Sequence, residues 1–281
     1  MIGAGRVGTA LAVLLQRAGY RIVAVAGREG TSERAARYLP GVPVRAAVEA
    51  AAGADVVVLG TPDDRIAEAC EAIAGALHAG QGVVHLSGAT SLDSLSAARR
   101  AGAQVLSTHP LQTFPDVEAA LRLIPGSAVA VTADDEEGYA LGERLAVDAG
   151  GRPFRLPDEV KPLYHAAAVF ASNYLVATQA AAEELYLAAG LPDPLGLFLP
   201  LSRATLENVK ALGPAGALTG PAVRGDAGTL VRNLEAIAAH RPRLVPAYVA
   251  MARVSLDLAE RAGRLSEGER TAVEEVLAKW T

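Results

Sequence analysis

The sequence has a single cysteine, Cys70, so no disulfide can form within one chain. That suits a reducing compartment, and a cytoplasmic location is the expectation. Aromatic residues make up only 4% of the chain, so the core must be built from Ala, Val and Leu. Basic charge is not in excess. The formal net charge is −5 and no basic block is present to neutralise phosphates, which argues against nucleic acid as the main partner. The most membrane-like run, residues 165–182, lacks Asp, Glu, Lys and Arg but carries His165, Ser172, Asn173, Thr178 and Gln179. It reads as a buried core helix, and no membrane partner is expected. There is no H-E-x-x-H and no paired Cys/His spacing, so no metal site is expected. A G-x-S-x-G nucleophile turn is also missing. The amino terminus runs directly into a glycine turn, so no signal peptide is expected.

That turn is the strongest positive feature. Gly3, Gly5 and Gly8 form a G-x-G-x-x-G pattern that leads into an Ala/Leu-rich helical stretch, residues 9–19. A dinucleotide needs this arrangement. Gly3 permits the tight turn, Gly5 lets the backbone approach a pyrophosphate, and Gly8 lets helix and strand pack closely. Arg6, Val7 and Gly8 would supply free N–H groups at the helix start. Only Met1 and Ile2 precede Gly3, whereas a strand usually has about five or six residues. The expectation is a stub of a first strand, or a natural chain that begins further upstream.

Strands and helices alternate through the first half. Strands are expected at residues 20–26, 42–44, 54–60, 81–86, 103–107, 127–131 and 152–155, with helices between them. The fold class is therefore α/β: a mostly parallel Rossmann-type sheet followed by an all-helical second domain. From Pro157 no further strand is evident. One long helix is expected over 158–189, then helices over 194–212, 226–240, 242–262 and 266–279, the last opened by a capping box of Ser266 and Glu269. The expected domains are a nucleotide-binding half, 1–156, and a helical half, 157–281, with a cleft between them.

Open parallel sheets bind ligands beyond the carboxyl ends of their strands. Those ends hold Thr61 and Pro62, then Ser87, then His109. At the end of the second strand a ribose 2′-hydroxyl usually meets an acidic residue. Here Arg28 stands first, and with Thr31 and Ser32 it can hold a 2′-phosphate, which favours NADP over NAD. The alternative is that Arg28 is a solvated loop residue. His109 precedes Pro110 in an extended segment and is a candidate proton-transfer residue, or else a packed loop histidine. His85 lies within an apolar strand and reads as a satisfied core histidine. On the long helix, Lys161, His165, Ala168 and Ser172 share one face, with Asn173 beside Ser172 but rotated away. Lys161 and His165 are candidate catalytic residues, and Ser172 and Asn173 candidate substrate contacts. Lys161 can equally sit in a solvated first turn. Arg224 can hold a substrate carboxylate or pair with Asp226.

With these residues placed, the chain resembles the 6-phosphogluconate dehydrogenase-like superfamily, which includes β-hydroxyacid dehydrogenases, ketopantoate reductase, pyrroline-5-carboxylate reductase and prephenate dehydrogenase. More closely, HLSGATSL (85–92), THPLQTF (108–114), YHAAAVFASNYLV (164–176) and LTGPAVRGD (218–226) resemble a bacterial Rossmann-like family whose helical half is a domain of unknown function. The resemblance implies an NADP-type oxidoreductase fold. THP at 108–110 is similar to the His-Pro segment of prephenate dehydrogenases, which supports His109. Lys161 with Asn173 resembles a lysine and asparagine of β-hydroxyacid dehydrogenases, at a longer spacing here. The expectation is an NADPH-dependent reductase of a small carboxylate-bearing carbonyl compound, a 2-oxo acid such as ketopantoate. The alternatives are a cyclic-imine reductase or prephenate-like dehydrogenase, and a non-catalytic dinucleotide-binding sensor or scaffold. Apolar helices in the second half imply a homodimer.

Overall fold

The computed structural model describes residues 1–280. It divides into two compact units, Met1–Asn173 and the helical remainder from Tyr174.

The first unit is built on five strands: β1 (Val56–Leu59), β2 (Gly82–His85), β3 (Gln104–Pro110), β4 (Ala128–Ala133) and β5 (Arg152–Arg155). They lie in that order, parallel except for the antiparallel β3–β4 pair. Single bridges extend the sheet beyond β1: Ile2 pairs with both Leu59 and Ala26, and Val25 pairs with Val44. The expected strand over 20–26 is thus reduced to its last two residues, and the one over 42–44 to Val44. Both lie at the sheet margin, where only Ile2 and Val44 offer partners, so β-branched composition alone does not extend the ladder.

The period of two along each strand sorts the side chains. Val57, Leu59, Val83 and Val105 enter one core layer with α3 (Ala47–Ala52), α4 (Ile66–Ile73) and α5 (Ser96–Arg100). Val58, Val84 and Leu106 enter the other, with α1 (Arg6–Arg17), α6 (Val117–Leu123) and α7 (Glu136–Asp148). α2 (Thr31–Tyr38) packs beside α1 through Ala35 and Leu39. α6, capped by Asp116, carries the reversal from β3 to β4 and was not legible in the sequence.

The expected single helix over 158–189 is broken into a short 3-10 turn at Asp158–Val160 and three further segments. α8 (Lys161–Ala168) starts with Pro162 in its first turn, a π turn covers Val169–Asn173, and α9 (Tyr174–Ala188) follows. The change of composition at Pro157 therefore comes before the division between the two units, because α8 and the π turn belong to the first.

The second unit comprises α9, α10 (Pro194–Ala217, kinked at Gly213), α11 (Ala227–His240), α12 (Val245–Arg261) and α13 (Glu267–Ala278). Leu230, Leu234, Val249, Leu256, Val273 and Leu277 form its core. Asp226 caps α11 through the Thr229 N–H, and the Ser266–Glu269 capping box is present at α13. Among the described residues no helix is long and apolar enough to cross a membrane.

Candidate nucleotide and substrate site

The glycine turn is held by the sheet. The Ile2 N–H donates to Val58 O, Gly60 N–H to Ile2 O and Gly3 N–H to Ala26 O, each at 2.7–2.8 Å. Gly3 has φ +79°, and a Cβ there would lie 2.6 Å from Thr61 N. A Cβ on Gly8 would lie 2.8 Å from Gly3 O, so strand and helix touch backbone to backbone. Gly5 differs: its Cβ would meet nothing nearer than Gly3 O at 4.0 Å, so it borders open space. The first turn of α1 carries no side-chain cap, leaving the N–H groups of Arg6, Val7 and Gly8 facing that space. Thr61 Oγ1 is buried there without a partner. A bare helix start, open room over Gly5 and an orphaned hydroxyl fit a bound pyrophosphate.

At the second strand end, Arg28 and Ser32 are exposed and Thr31 is buried. Arg34, which the sequence reading missed, donates from Nε to Ala4 O at 2.9 Å and lies 3.4 Å from Thr31 Oγ1 through Nη2. Its signal was its place three residues after Thr31, one turn into α2.

A second cluster sits at the ends of β2 and β3. β3 runs through His109, which pairs with Ala130 of β4, so His109 lies within the strand rather than after it. Antiparallel pairing with β4 carries the ladder past Ser107 to Pro110. His85, Ser107 and His109 share one sheet face by strand parity, and His85 is the register partner of Ser107. His109 Nδ1 lies 2.8 Å from the Tyr164 hydroxyl, and the two rings meet edge to face. Burial, then the nearby His165 and Lys161, lower the His109 pKa to about 4, while Asp63 opposes the shift. Burial raises Tyr164 to about 12. Near neutral pH the ring is neutral and the phenol keeps its proton.

His109, Gln112, Thr113, Tyr164, His165, Ala168, Ser172 and Asn173 line one cavity of about 530 Å³. Ser172 and Asn173 both line this cavity, at the end of the π turn, whose i→i+5 bonding winds the chain less per residue than a regular helix. Lys161 leaves the expected stripe. It is 1% exposed, and Nζ donates to Ser107 Oγ at 2.8 Å. It is neither in a solvated turn nor part of the cavity lining. Burial lowers its pKa to about 8, with Asp158 and Asp63 opposing. His85 is fully buried, but the expectation that it is satisfied is wrong. Nδ1 accepts the Ser87 N–H at 3.2 Å, and Nε2 has no partner. Ser87 Oγ bonds Asp63 at 2.7 Å and accepts from Thr90 N–H, which fixes the loop after β2. Arg224 is exposed in the second unit, in a short turn before Asp226, and no ion pair joins the two among the described residues.

A Rossmann-like domain model matches residues 1–110, and the model of a domain of unknown function, DUF2520, matches residues 127–254. The chain combines a Rossmann-like domain with a DUF2520 domain. Among solved structures, the "putative NADP oxidoreductase BF3122 from Bacteroides fragilis" is similar at 26% identity and TM-score 0.77, covering 91% of this chain and 96% of that one. Protein TM1727 from Thermotoga maritima follows at 25% identity and TM-score 0.66, over 94% of this chain and 98% of that one. An imine reductase from Myxococcus stipitatus in complex with NADP+ shares the fold at 18% identity and TM-score 0.68, over 99% and 98% of the two chains. No curated protein sequence matches.

In this Rossmann–DUF2520 chain the residue most easily overlooked is Gly88. A Cβ there would lie 2.7 Å from both Cε1 and Nδ1 of His109. Gly88→Ala is therefore expected to push the imidazole off Tyr164. Misplacing a reacting group by about 1 Å can cost about 100-fold in rate. Steady-state kinetics with a melting curve checks this: activity should fall while the melting temperature changes little. Equal activity would mean that the ring position does not matter.

Proposed function

We propose that the chain is an NADPH-dependent reductase of a small C=O or C=N compound, with the nucleotide on the Gly3–Gly8 turn and the substrate against His109 and Tyr164. The observation that carries this reading is the Tyr164 hydroxyl 2.8 Å from His109 Nδ1 at the wall of a cavity beyond the strand ends. The similarity to BF3122 supports the nucleotide assignment, as does Arg28 with Thr31 and Ser32 at the second strand end. When bound, NADPH supplies the hydride. His109 holds its proton on Nδ1 and donates it to the Tyr164 oxygen, which frees the phenolic O–H to protonate the reduced oxygen or nitrogen. His165, Gln112, Ser172 and Asn173 offer hydrogen bonds that orient the substrate. Lys161, seated on Ser107, acts from behind the His109–Tyr164 pair rather than on a substrate carboxylate.

The test is NADPH oxidation at 340 nm over a panel of cyclic imines, ketones and 2-oxo acids, ketopantoate among them, with NADH in parallel. Turnover of a C=N or C=O substrate with NADPH supports the reading. Tight NADPH binding with no turnover across the panel overturns it in favour of a dinucleotide sensor.

The helical unit supports a homodimer. α9 has no buried residue in its 15, and the 24-residue α10 buries only Pro194 and Phe198. Leu187, Leu195, Leu197, Leu201 and Leu206 are exposed along them. Soluble monomers rarely leave so long an apolar face in water. Light scattering should give twice the chain mass.

Lys161 also sets a stability expectation. Its folded pKa, about 8, lies below the ordinary 10.5, so the unfolded chain binds more protons between those values and stability rises with pH across that window. Below pH 8 the folded state carries the full cost of a buried cation. Lys161→Met is expected to raise unfolding free energy at pH 7 by about 1–2 kcal/mol, after allowing for the lost Ser107 bond. The gain should vanish towards pH 10.5. Urea unfolding at both ends of the range checks it, and a destabilised variant at pH 7 would contradict it.

A further inference from the structure

The cluster behind His109 has chemistry that the cavity does not use. His85 is 0% exposed, and its Nδ1 accepts a backbone N–H. The ring proton of neutral His85 is therefore on Nε2, and that N–H is a buried donor with no protein acceptor. Such groups in native interiors meet an enclosed water or a functional partner. Parity and register put His85 on the same face as Ser107, whose hydroxyl takes the Lys161 amine. Lys161 forms no ion pair among the described residues, which is unusual for a lysine 1% exposed. The titratable groups that interact with it electrostatically are Asp158 from the turn before α8, Asp63 after β1, His85 on β2 and His109 on β3. Burial, and after it the charges of Lys161 and His109, disfavour a proton on His85.

We propose that His85 Nε2, Lys161 Nζ and Ser107 Oγ hold one enclosed water, and that this buried triad returns to the His109–Tyr164 pair the proton it passes to substrate. The water accepts from His85 Nε2–H and links it to the lysine. A proton leaves the Lys161 ammonium and crosses the water to His109 Nε2. The Nδ1 proton of His109 moves to the Tyr164 phenolate, and the ring, left with its proton on Nε2, regains the Nδ1–H form by proton exchange with water in the cavity before the next turnover. Lys161 is left as a neutral amine and is reprotonated from solvent, and no electrons move. His85 is in this scheme a positioning residue: its N–H occupies the water oxygen, which leaves that oxygen a poorer acceptor for the Lys161 ammonium. The proton-return role rests on the reductase reading, whereas the triad itself does not.

The test uses the full chain, which has only three lysines, Lys161, Lys210 and Lys279, and five histidines. Lysine 13Cε resonances are followed against pH, and imidazole 15N spectra give the His85 tautomer. The expected result is an Nε2–H tautomer for His85 and a Lys161 midpoint well below the ordinary lysine value. In His85→Phe that midpoint should rise by about half a pH unit or more. The alkaline limb of the kcat profile should shift with it. His85→Gln, which keeps an N–H donor, should stay near the parent on both counts. An Nδ1–H tautomer overturns the proposal, as does a Lys161 midpoint unmoved in His85→Phe. Should His85→Phe fail to fold, a His85→Gln midpoint displaced as far as that of His85→Leu overturns it too. A Lys161 midpoint that moves as expected, in a protein that turns over no C=N or C=O substrate, defeats the reductase reading and leaves the triad standing.

Discussion

Tyr164→Phe is expected to lower kcat for NADPH-dependent reduction by about 100- to 10,000-fold, the usual contribution of a placed general acid. The substitution removes one oxygen and leaves the ring. The edge-to-face contacts of that ring with His109 and Phe154 persist, so the cavity keeps its shape. Stability should change by about 1 kcal/mol, the net worth of one hydrogen bond. NADPH affinity should be unchanged, because the phenol is not among the groups around the glycine turn. His109→Ala should fall in the same range and also lose ring packing against Gly88. The two losses should not add, since either change breaks the same Nδ1–hydroxyl contact at 2.8 Å. A Tyr164→Phe variant within threefold of the parent would move the acid elsewhere, with His165 next in line on the cavity wall.

The parts of this molecule that follow local rules were legible in the sequence. The continuous apolar run at 54–60 announced a strand buried on both faces, and β1 within it feeds both core layers. The Ser266–Glu269 spacing announced a helix start and makes one. What was not legible depends on tertiary pairing. A π turn has no sequence signature, so residues 169–173 read as ordinary helix, in which Asn173 was rotated from the Ser172 face although it lines the same cavity. Lys161 in a helical first turn reads as solvated, because nothing local reveals that Ser107, 54 residues earlier, will face it. Tyr164 was not singled out, because nothing local distinguishes a tyrosine in an apolar helix, and only β3 running on to His109 gives it a partner. His85 misled for the opposite reason. An apolar strand implies a satisfied residue, yet one ring nitrogen is satisfied and the other is not.

Gly3 and Gly5 separate two roles that one motif combines, and paired substitutions should show it. In Gly3→Ala the side chain must adopt φ near +79°, which costs about 1–2 kcal/mol outside glycine. Its Cβ would also lie 2.6 Å from Thr61 N and 2.7 Å from Gly60 C, both backbone atoms. Neither can retreat, because Gly60 N–H is bonded to Ile2 O at 2.7 Å and Ile2 itself bridges two neighbours in the sheet. Overpacking of this kind adds about 1–3 kcal/mol. The sum is about 2–5 kcal/mol, enough to lower the melting temperature by roughly 5–15 °C in a chain of this size and to remove the nucleotide site with it. Gly5→Ala should do the reverse. Gly5 has φ −79°, and its Cβ would meet only open space. The fold should melt as before, while the added methyl occupies the room a pyrophosphate needs and weakens NADPH at least tenfold, about 1.4 kcal/mol. Fluorescence titration with NADPH beside thermal melting reads both. If Gly5→Ala binds NADPH as tightly as the parent, the open space over the first turn of α1 is not where the phosphates lie. If Gly3→Ala melts with the parent, the turn does not hold the first strand against β1.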